Sequence, residues 1–314
     1  MEKPVILFDT DMDTDCDDVG ALAMLLEAHL ASKATLLGII ADSVCSYAAP
    51  ACEYLAGYYG VEVPIGAIYA EGYMDTPENI ARFTDYRTHS KNCLQQGRAY
   101  NAFFARTINK TDRDYPSAAK VYRQLLVKAE DNSITVLCVG MLTAAAEALE
   151  SGADEISPLP GVELFRRKVK KVITMGNPHS TNDFNWGKDA LGAKQFFALC
   201  PVPVYISAEG GNVITGAHLS ASLPHTHPLR QAYEIWLGQQ NTGRPSWDLI
   251  ASLYALEPDS PYLRLEALGD CQYDAEEKSL HIHSSAYGNC HDLHVSCSPV
   301  EMAQVLNSYM LGKS

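Results

Sequence analysis

No run of about 18 apolar residues occurs in this sequence, so no segment reads as a membrane-spanning helix. Basic residues are scarce. The 24 Lys and Arg face 38 Asp and Glu, a formal net charge of −14. Such a field repels nucleic-acid phosphates and anionic membrane surfaces and favours cations and neutral ligands, so neither nucleic acid nor membrane is expected as a partner. A paired cysteine framework is missing as well. The nine cysteines are an odd number without framework spacing, and several lie in apolar runs, as Cys138 does in ITVLCVG and Cys200 in FFALCPVPVYIS. They read as reduced, mostly buried thiols. With no signal-peptide pattern in the first residues, the expected location is cytoplasmic. Internal repeats and low-complexity linkers are absent, and no GxGxxG joins a strand to a helix. The two glycines of AEGGN at 208–212 therefore do not support a dinucleotide site.

What is present is an alternation. Apolar, β-branched runs at 5–8, 35–41, 133–140, 171–176 and 202–208 are separated by amphipathic stretches such as VGALAMLLEAHLAS, AAKVYRQLLVKAE and ALGAKQFFALC. Near-continuous apolar strands between helices predict an α/β fold: a mainly parallel sheet with helices on both faces. After about residue 220 the pattern changes to C-terminal helices and short strands. A last helix is announced by Ser298 and Glu301, spaced as a capping box. Residues 67–112 are polar and weakly periodic, either a mobile flap or a helical insertion. The whole of 1–314 reads as one domain. In such folds ligands sit beyond the carboxyl ends of the strands. The strands here end in DTD, ADS, VGMLT, MGNPH and SAEGGN.

The first of those ends opens DTDMDTDCDD, with carboxylates at Asp9, Asp11, Asp13, Asp15, Asp17 and Asp18. An EF-hand loop needs Gly at its sixth position and Glu at its twelfth. Frames starting at Asp9, Asp11 and Asp13 offer Thr14 and Gly20, Cys16 and Leu22, and Asp18 and Met24. All fail. A haloacid-dehalogenase-like phosphatase would place Gly-Thr after its DxD, whereas Met12-Asp13 follows here, and the further acids would repel a phosphate. Capping of the helix that begins near Val19 employs Asp17 or Asp18 and leaves the others unexplained. Several ionised carboxylates at a half-buried strand end require a cation or raised pKa values. A hard, oxygen-preferring divalent ion meets that need, and Ca²⁺ tolerates the irregular geometry of a loop better than Mg²⁺ does.

The segment resembles the signature of the nucleoside hydrolase family, the inosine–uridine preferring and related N-ribohydrolases, in which a strand runs into DxDPGxDDAxAL. Here it stands as Asp9-Thr10-Asp11-Met12, two additional residues, and Asp17-Asp18-Val19-Gly20-Ala21-Leu22, without the Pro-Gly. SITVLCVGMLTAAAEAL is similar to the family's GPLTNxAxAL strand end. KVITMGNPHSTNDFNWGKDALGAKQFF is similar to VxxMGG…EFNxxxDPxAA, with Asp183-Phe184-Asn185 in the EFN place and Asp189 as the later Asp. PSWDLIASLYAL resembles HDPLAxAYxL, with Trp247 where many members have an active-site His. The resemblance implies a Rossmann-like nucleoside hydrolase fold and Ca²⁺ held by Asp11, Asp18, Asp248 and the Val139 carbonyl. It makes Asp11 the general base on a metal-bound water. Asp17, Asp42, Asn177, Asp183 and Asn185 would bind sugar hydroxyls.

The implied activity is Ca²⁺-dependent hydrolysis of the N-glycosidic bond of ribonucleosides, with a nucleoside or other ribosyl small molecule as ligand. A homo-oligomer, dimer or tetramer, is implied too. Trp247 ionises at no useful pH and offers a stacking or packing surface instead, which leaves the leaving-group acid unidentified. It also opens an alternative, a non-catalytic nucleoside- or ribose-binding protein of the same fold. Asp13 and Asp15 lie in the lengthened loop and carry no expected catalytic role. Tyr47, Tyr73 and Trp186 are possible pocket-lining aromatics. His281, His283, Cys290, His291, His294 and Cys297 suggest zinc by type, but they alternate between strand faces without a CxxC pair and read as solvated strand residues.

Overall fold

Val5–Thr10 (β1) is buried on both faces, as its unbroken apolar run requires, and it forms the middle of the fold. From it the chain runs through Thr35–Ala41 (β2) to Ile65–Ala67 (β3) on one side. It then returns to place Ile134–Cys138 (β4), Val169–Met175 (β5) and Val204–Ser207 (β6) on the other. Two short strands, Ile214–Thr215 (β7) and Arg244–Pro245 (β8), pair antiparallel as a separate ladder. Leu263–Asp274 (β9), Ser279–His283 (β10) and Cys290–Val295 (β11) complete a nine-stranded sheet of order β10-β9-β11-β6-β5-β4-β1-β2-β3. All pairs from β11 to β3 are parallel, and β9 is antiparallel to both its neighbours. The computed structural model describes residues 3–13, 15–285 and 288–313.

Helices cover both faces. Asp17–Leu30, Ala48–Tyr58, Pro228–Leu237, Trp247–Leu256 and Pro299–Met310 share one apolar core. Ala118–Lys128, Thr143–Glu150, Gly161–Lys168 and Ala190–Leu199 share the other. Asp17–Leu30 is buried on nearly every side because its residues are apolar almost all round. Ser298 caps the final helix as expected, accepting from the Glu301 N–H at 3.2 Å. Residues 67–112 form a helical insertion, with helices Pro77–Arg82, Thr84–Gln95 and Tyr100–Ile108. Among the described residues, no helix is long and apolar enough to cross a membrane.

Strand order reverses between β1 and β4. In an open parallel sheet the loops leaving two such strands diverge to opposite faces and leave a crevice between them. The acid loop after β1 and Val139-Gly140 after β4 flank that crevice.

Candidate metal and sugar site

A cleft of about 630 Å³ opens there, lined by Asp11, Asp15, Asp17, Asp18, Val139, Asn177, Asp183, Asn185, Trp247 and Asp248 among others. Its floor is the loop between β1 and the helix Asp17–Leu30. Asp17, Asp18 and Asp248 each offer a carboxylate oxygen within 4.8 Å of the other two, and all three are buried. Asp248 arrives from 230 residues further along, in the first turn of Trp247–Leu256, and its N–H donates to Asp17 Oδ2 at 3.3 Å. The Thr10 hydroxyl donates to Asp18. Asp11, 3% exposed, lies close enough to raise the proton affinity of both Asp18 and Asp248. Its place depends on Gly140, where a Cβ would fall 2.6–2.7 Å from atoms of Asp11. Only a residue without a side chain lets the two loops approach so closely.

Asn185 donates its amide to the Val139 carbonyl at 2.7 Å, and both residues line the cleft. Asp183 caps the short helix Phe184–Lys188, accepting from the N–H groups of Asn185 (3.0 Å) and Trp186 (3.2 Å). It accepts a third bond from the N–H of Asn177 at 3.0 Å, so one carboxylate ties together both ends of the loop after β5. Trp247 is half-buried at the rim. Its backbone packs on Gly210, where a Cβ would lie 2.7 Å from Trp247 N and Cα and where φ is +144°. The glycine of AEGGN thus serves the turn that presents Trp247 and Asp248.

Burial, and then mutual repulsion, drive Asp17, Asp18 and Asp248 well above the ordinary carboxylate range. Three buried acids that cannot all ionise alone, each with an oxygen within 4.8 Å of the others, fit a hard divalent cation. The sign of the linkage makes this testable. A carboxyl whose pKa is higher folded than unfolded stabilises the fold at low pH, and it loses that contribution as pH rises from about 4 through the folded value. Metal binding demands the ionised form, so calcium competes with protons. Without calcium the melting temperature should fall as pH rises from about 5 to about 8, and the increase produced by excess calcium should grow over the same interval. Thermal melts in chelator and in calcium measure both. An increase independent of pH would mean that these acids ionise without a cation.

The remaining expected residues are placed differently. Asp42 is fully buried, accepts from the Ala144 N–H at 3.0 Å at the start of Thr143–Glu150, and does not line the cleft. One of its oxygens serves a helix N-terminus, and the sugar-binding role expected of it finds no cleft-lining position here. Trp186 is 1% exposed and packs edge-on against Phe197 and Tyr273, a core residue instead of a pocket wall. Tyr73 donates to Glu147 outside the cleft, and Tyr47 precedes the helix Ala48–Tyr58, also outside it. Asp13 accepts from Asn101 at 2.8 Å, and Asp15 pairs with Arg244, whose Nε lies 2.9 Å from both carboxylate oxygens. The lengthened loop is therefore anchored to the helical insertion and to β8. His294 sits between Glu209, Asp292 and Glu266, and His291 stacks on Tyr205. Among the described residues, the carboxylates of the cleft are the one group that converges as metal ligands would.

Two kinds of residue escaped the sequence. His89, on Thr84–Gln95, lines the cleft, with its ring 5.1 Å from that of Phe184. Arg98 and Arg244 line it as well. The signal for His89 was weak, since polar THSKNC in an aperiodic stretch shows no face. Arg244 had none, because nothing local ties it to Asp15.

No family model matches the chain, and no curated protein matches it in sequence. Solved structures do match over nearly its whole length. An inosine–uridine preferring nucleoside hydrolase from Bacillus anthracis superposes with a TM-score of 0.65 at 16% identity, covering 99% of each chain. An inosine–guanosine nucleoside hydrolase gives 0.66 at 16% identity, again with 99% of each chain covered. The type III effector protein XopQ, solved with adenosine diphosphate ribose, gives 0.68 at 13% identity, covering 100% of this chain and 94% of that one. The chain has the nucleoside hydrolase-like α/β fold, in a form far diverged in sequence from these structures.

Proposed function

We propose that the protein hydrolyses the N-glycosidic bond of ribonucleosides in a Ca²⁺-dependent reaction, releasing base and ribose. The observation that carries this reading is the convergence of Asp17, Asp18 and Asp248 beside Asp11 at the point where the strand order reverses. Asp11, Asp18, Asp248 and the Val139 carbonyl would hold the ion, with Asp17 close enough to share it. When bound, the ion lowers the pKa of a water and orients sugar hydroxyls. Asp17, Asp183, Asn185 and Asn177 bind the ribose. Asp11 accepts a proton from the attacking water as its oxygen bonds to the anomeric carbon. The C–N bond breaks with its electron pair on nitrogen, and a proton restores the neutral base, so one water is consumed. Positive charge on the ribosyl ring is stabilised by the surrounding carboxylates. His89, the imidazole among the lining residues, is the group we assign to give the departing nitrogen its proton.

Incubation with a panel of purine and pyrimidine ribonucleosides, followed by a reducing-sugar assay, tests this. Release should occur with calcium and fall to background in chelator. No release from any nucleoside would overturn it. A second reading, a non-catalytic binder of nucleoside or ribose, is favoured by Trp247 in the place of the family's His and by the ligand named for the XopQ structure. Tight calorimetric binding without sugar release would establish it.

A further inference from the structure

With the ion and the ribose assigned to the acid floor, the side chains left in the cleft are those that meet the leaving group. They differ in kind from the floor. Arg98 and Arg244 both line the cleft, and each lies against an indole that lines it too: Arg98 Cζ is 5.8 Å from a Trp236 ring centroid, and Arg244 Cζ is 5.5 Å from that of Trp247. Arg98 is exposed and, among the described residues, pairs with no carboxylate, although acids outnumber bases 38 to 24 in this chain. Arg244 commits Nε and Nη2 to Asp15, while its Nη1 makes no hydrogen bond among the described residues.

A neutral sugar needs neither cation. A guanidinium lying over an indole presents a fork of N–H groups to a planar anion, and an indole in the lining offers an apolar surface to the ring that carries it. Carboxylates are the anions such a fork receives in two parallel hydrogen bonds. We propose that the substrate is a ribosyl compound whose leaving group is a planar heterocycle bearing a carboxylate, recognised by Arg98 and Arg244. This rests on the reading of the cleft as a ribosyl-hydrolase site. It also accounts for the lengthened loop, since Asp15 fixes Arg244 over Trp247.

Pairs that differ in that substituent provide the test: uridine against orotidine, and nicotinamide riboside against nicotinic acid riboside. In calcium, kcat/KM for the carboxylate member should exceed that of its partner by about tenfold or more, the worth of one hydrogen bond between charged groups. Arg98→Gln and Arg244→Gln, each checked by thermal melt, should lower that ratio about tenfold, a comparison between proteins in which the intrinsic reactivity of the two compounds cancels. If turnover is absent, the same ratio is read as Kd by calorimetry on the calcium-loaded Asp11→Asn protein. Equal or inverted ratios in both pairs, or a preference that survives both substitutions, overturn the proposal. Its failure is distinct from that of the hydrolase reading: ribosides bound or cleaved without charge preference remove only the carboxylate, whereas no binding of any riboside removes both.

Discussion

Asp11→Asn should lower kcat by about 10³-fold while the protein still folds and, at calcium raised about 100-fold to offset the lost charged ligand, still binds the ion and ribosides. The figure is the middle of what a positioned general base contributes, about 4 kcal/mol of barrier. Asparagine keeps the shape and one coordinating oxygen, so the Gly140 contact is retained; what it loses is a ligand charge, which saturating calcium offsets, and the ability to accept a proton, which calcium does not restore. Asp11 is buried at the cleft floor beside Asp18 and Asp248, and the Tyr86 hydroxyl lies 3.5 Å from Oδ2. Single-turnover sugar release, with Kd measured on the same preparation, separates the two effects. Activity within a few-fold of the unsubstituted protein would sink the assignment of Asp11 as base. Equal loss of binding and turnover would make it a ligand of the ion and nothing more.

Asp248→Asn carries the second large effect, and its sign reverses with calcium. Asp248 is driven well above the usual carboxylate range by burial, then by Asp17, Asp18 and Asp11. Removing its charge relieves that repulsion, so near pH 8 the metal-free variant should melt at or above the unsubstituted protein. With calcium the order should invert. One fewer charged ligand weakens a calcium site by decades in Kd, here roughly 10²-fold. Elemental analysis after gel filtration should find the ion in the unsubstituted protein and not in the variant. A variant that retains calcium at full stoichiometry would show that Asp248 is not a ligand.

The strands and most helices were legible because each is written locally. An apolar run of five to seven residues can be buried only if flanked on both faces, and a period near 3.6 produces a helix with one buried side. Residues 67–112 were legible only as polar, since Thr84–Gln95 buries just Tyr86 and Cys93 and leaves little apolar period to detect. For the site, position along the chain does not say which strand-end acids line the cleft. Asp42 stands at a strand end as the acids of the cleft do, yet β2 lies beyond β1, away from the crossover, and its carboxylate turns to the helix that starts at Thr143. Trp186 follows the motif that carries Asp183 and Asn185, but helical geometry rotates it into the core, where its indole N–H donates to Thr174.

Composition and local pattern by themselves determined an α/β sheet with both faces covered, and the clustering of carboxylates after its first strand. Neighbours in sequence share a strand end whatever the rest of the chain does. Tertiary structure alone decided which acids meet. Asp248 joins Asp17 and Asp18 from 230 residues away, Arg244 takes Asp15 out of the cluster, and His89 and Arg98 enter from the insertion. Those encounters depend on the order in which strands add to the sheet. That order is set by how two apolar cores close around it, a property of the whole chain that no segment of it contains.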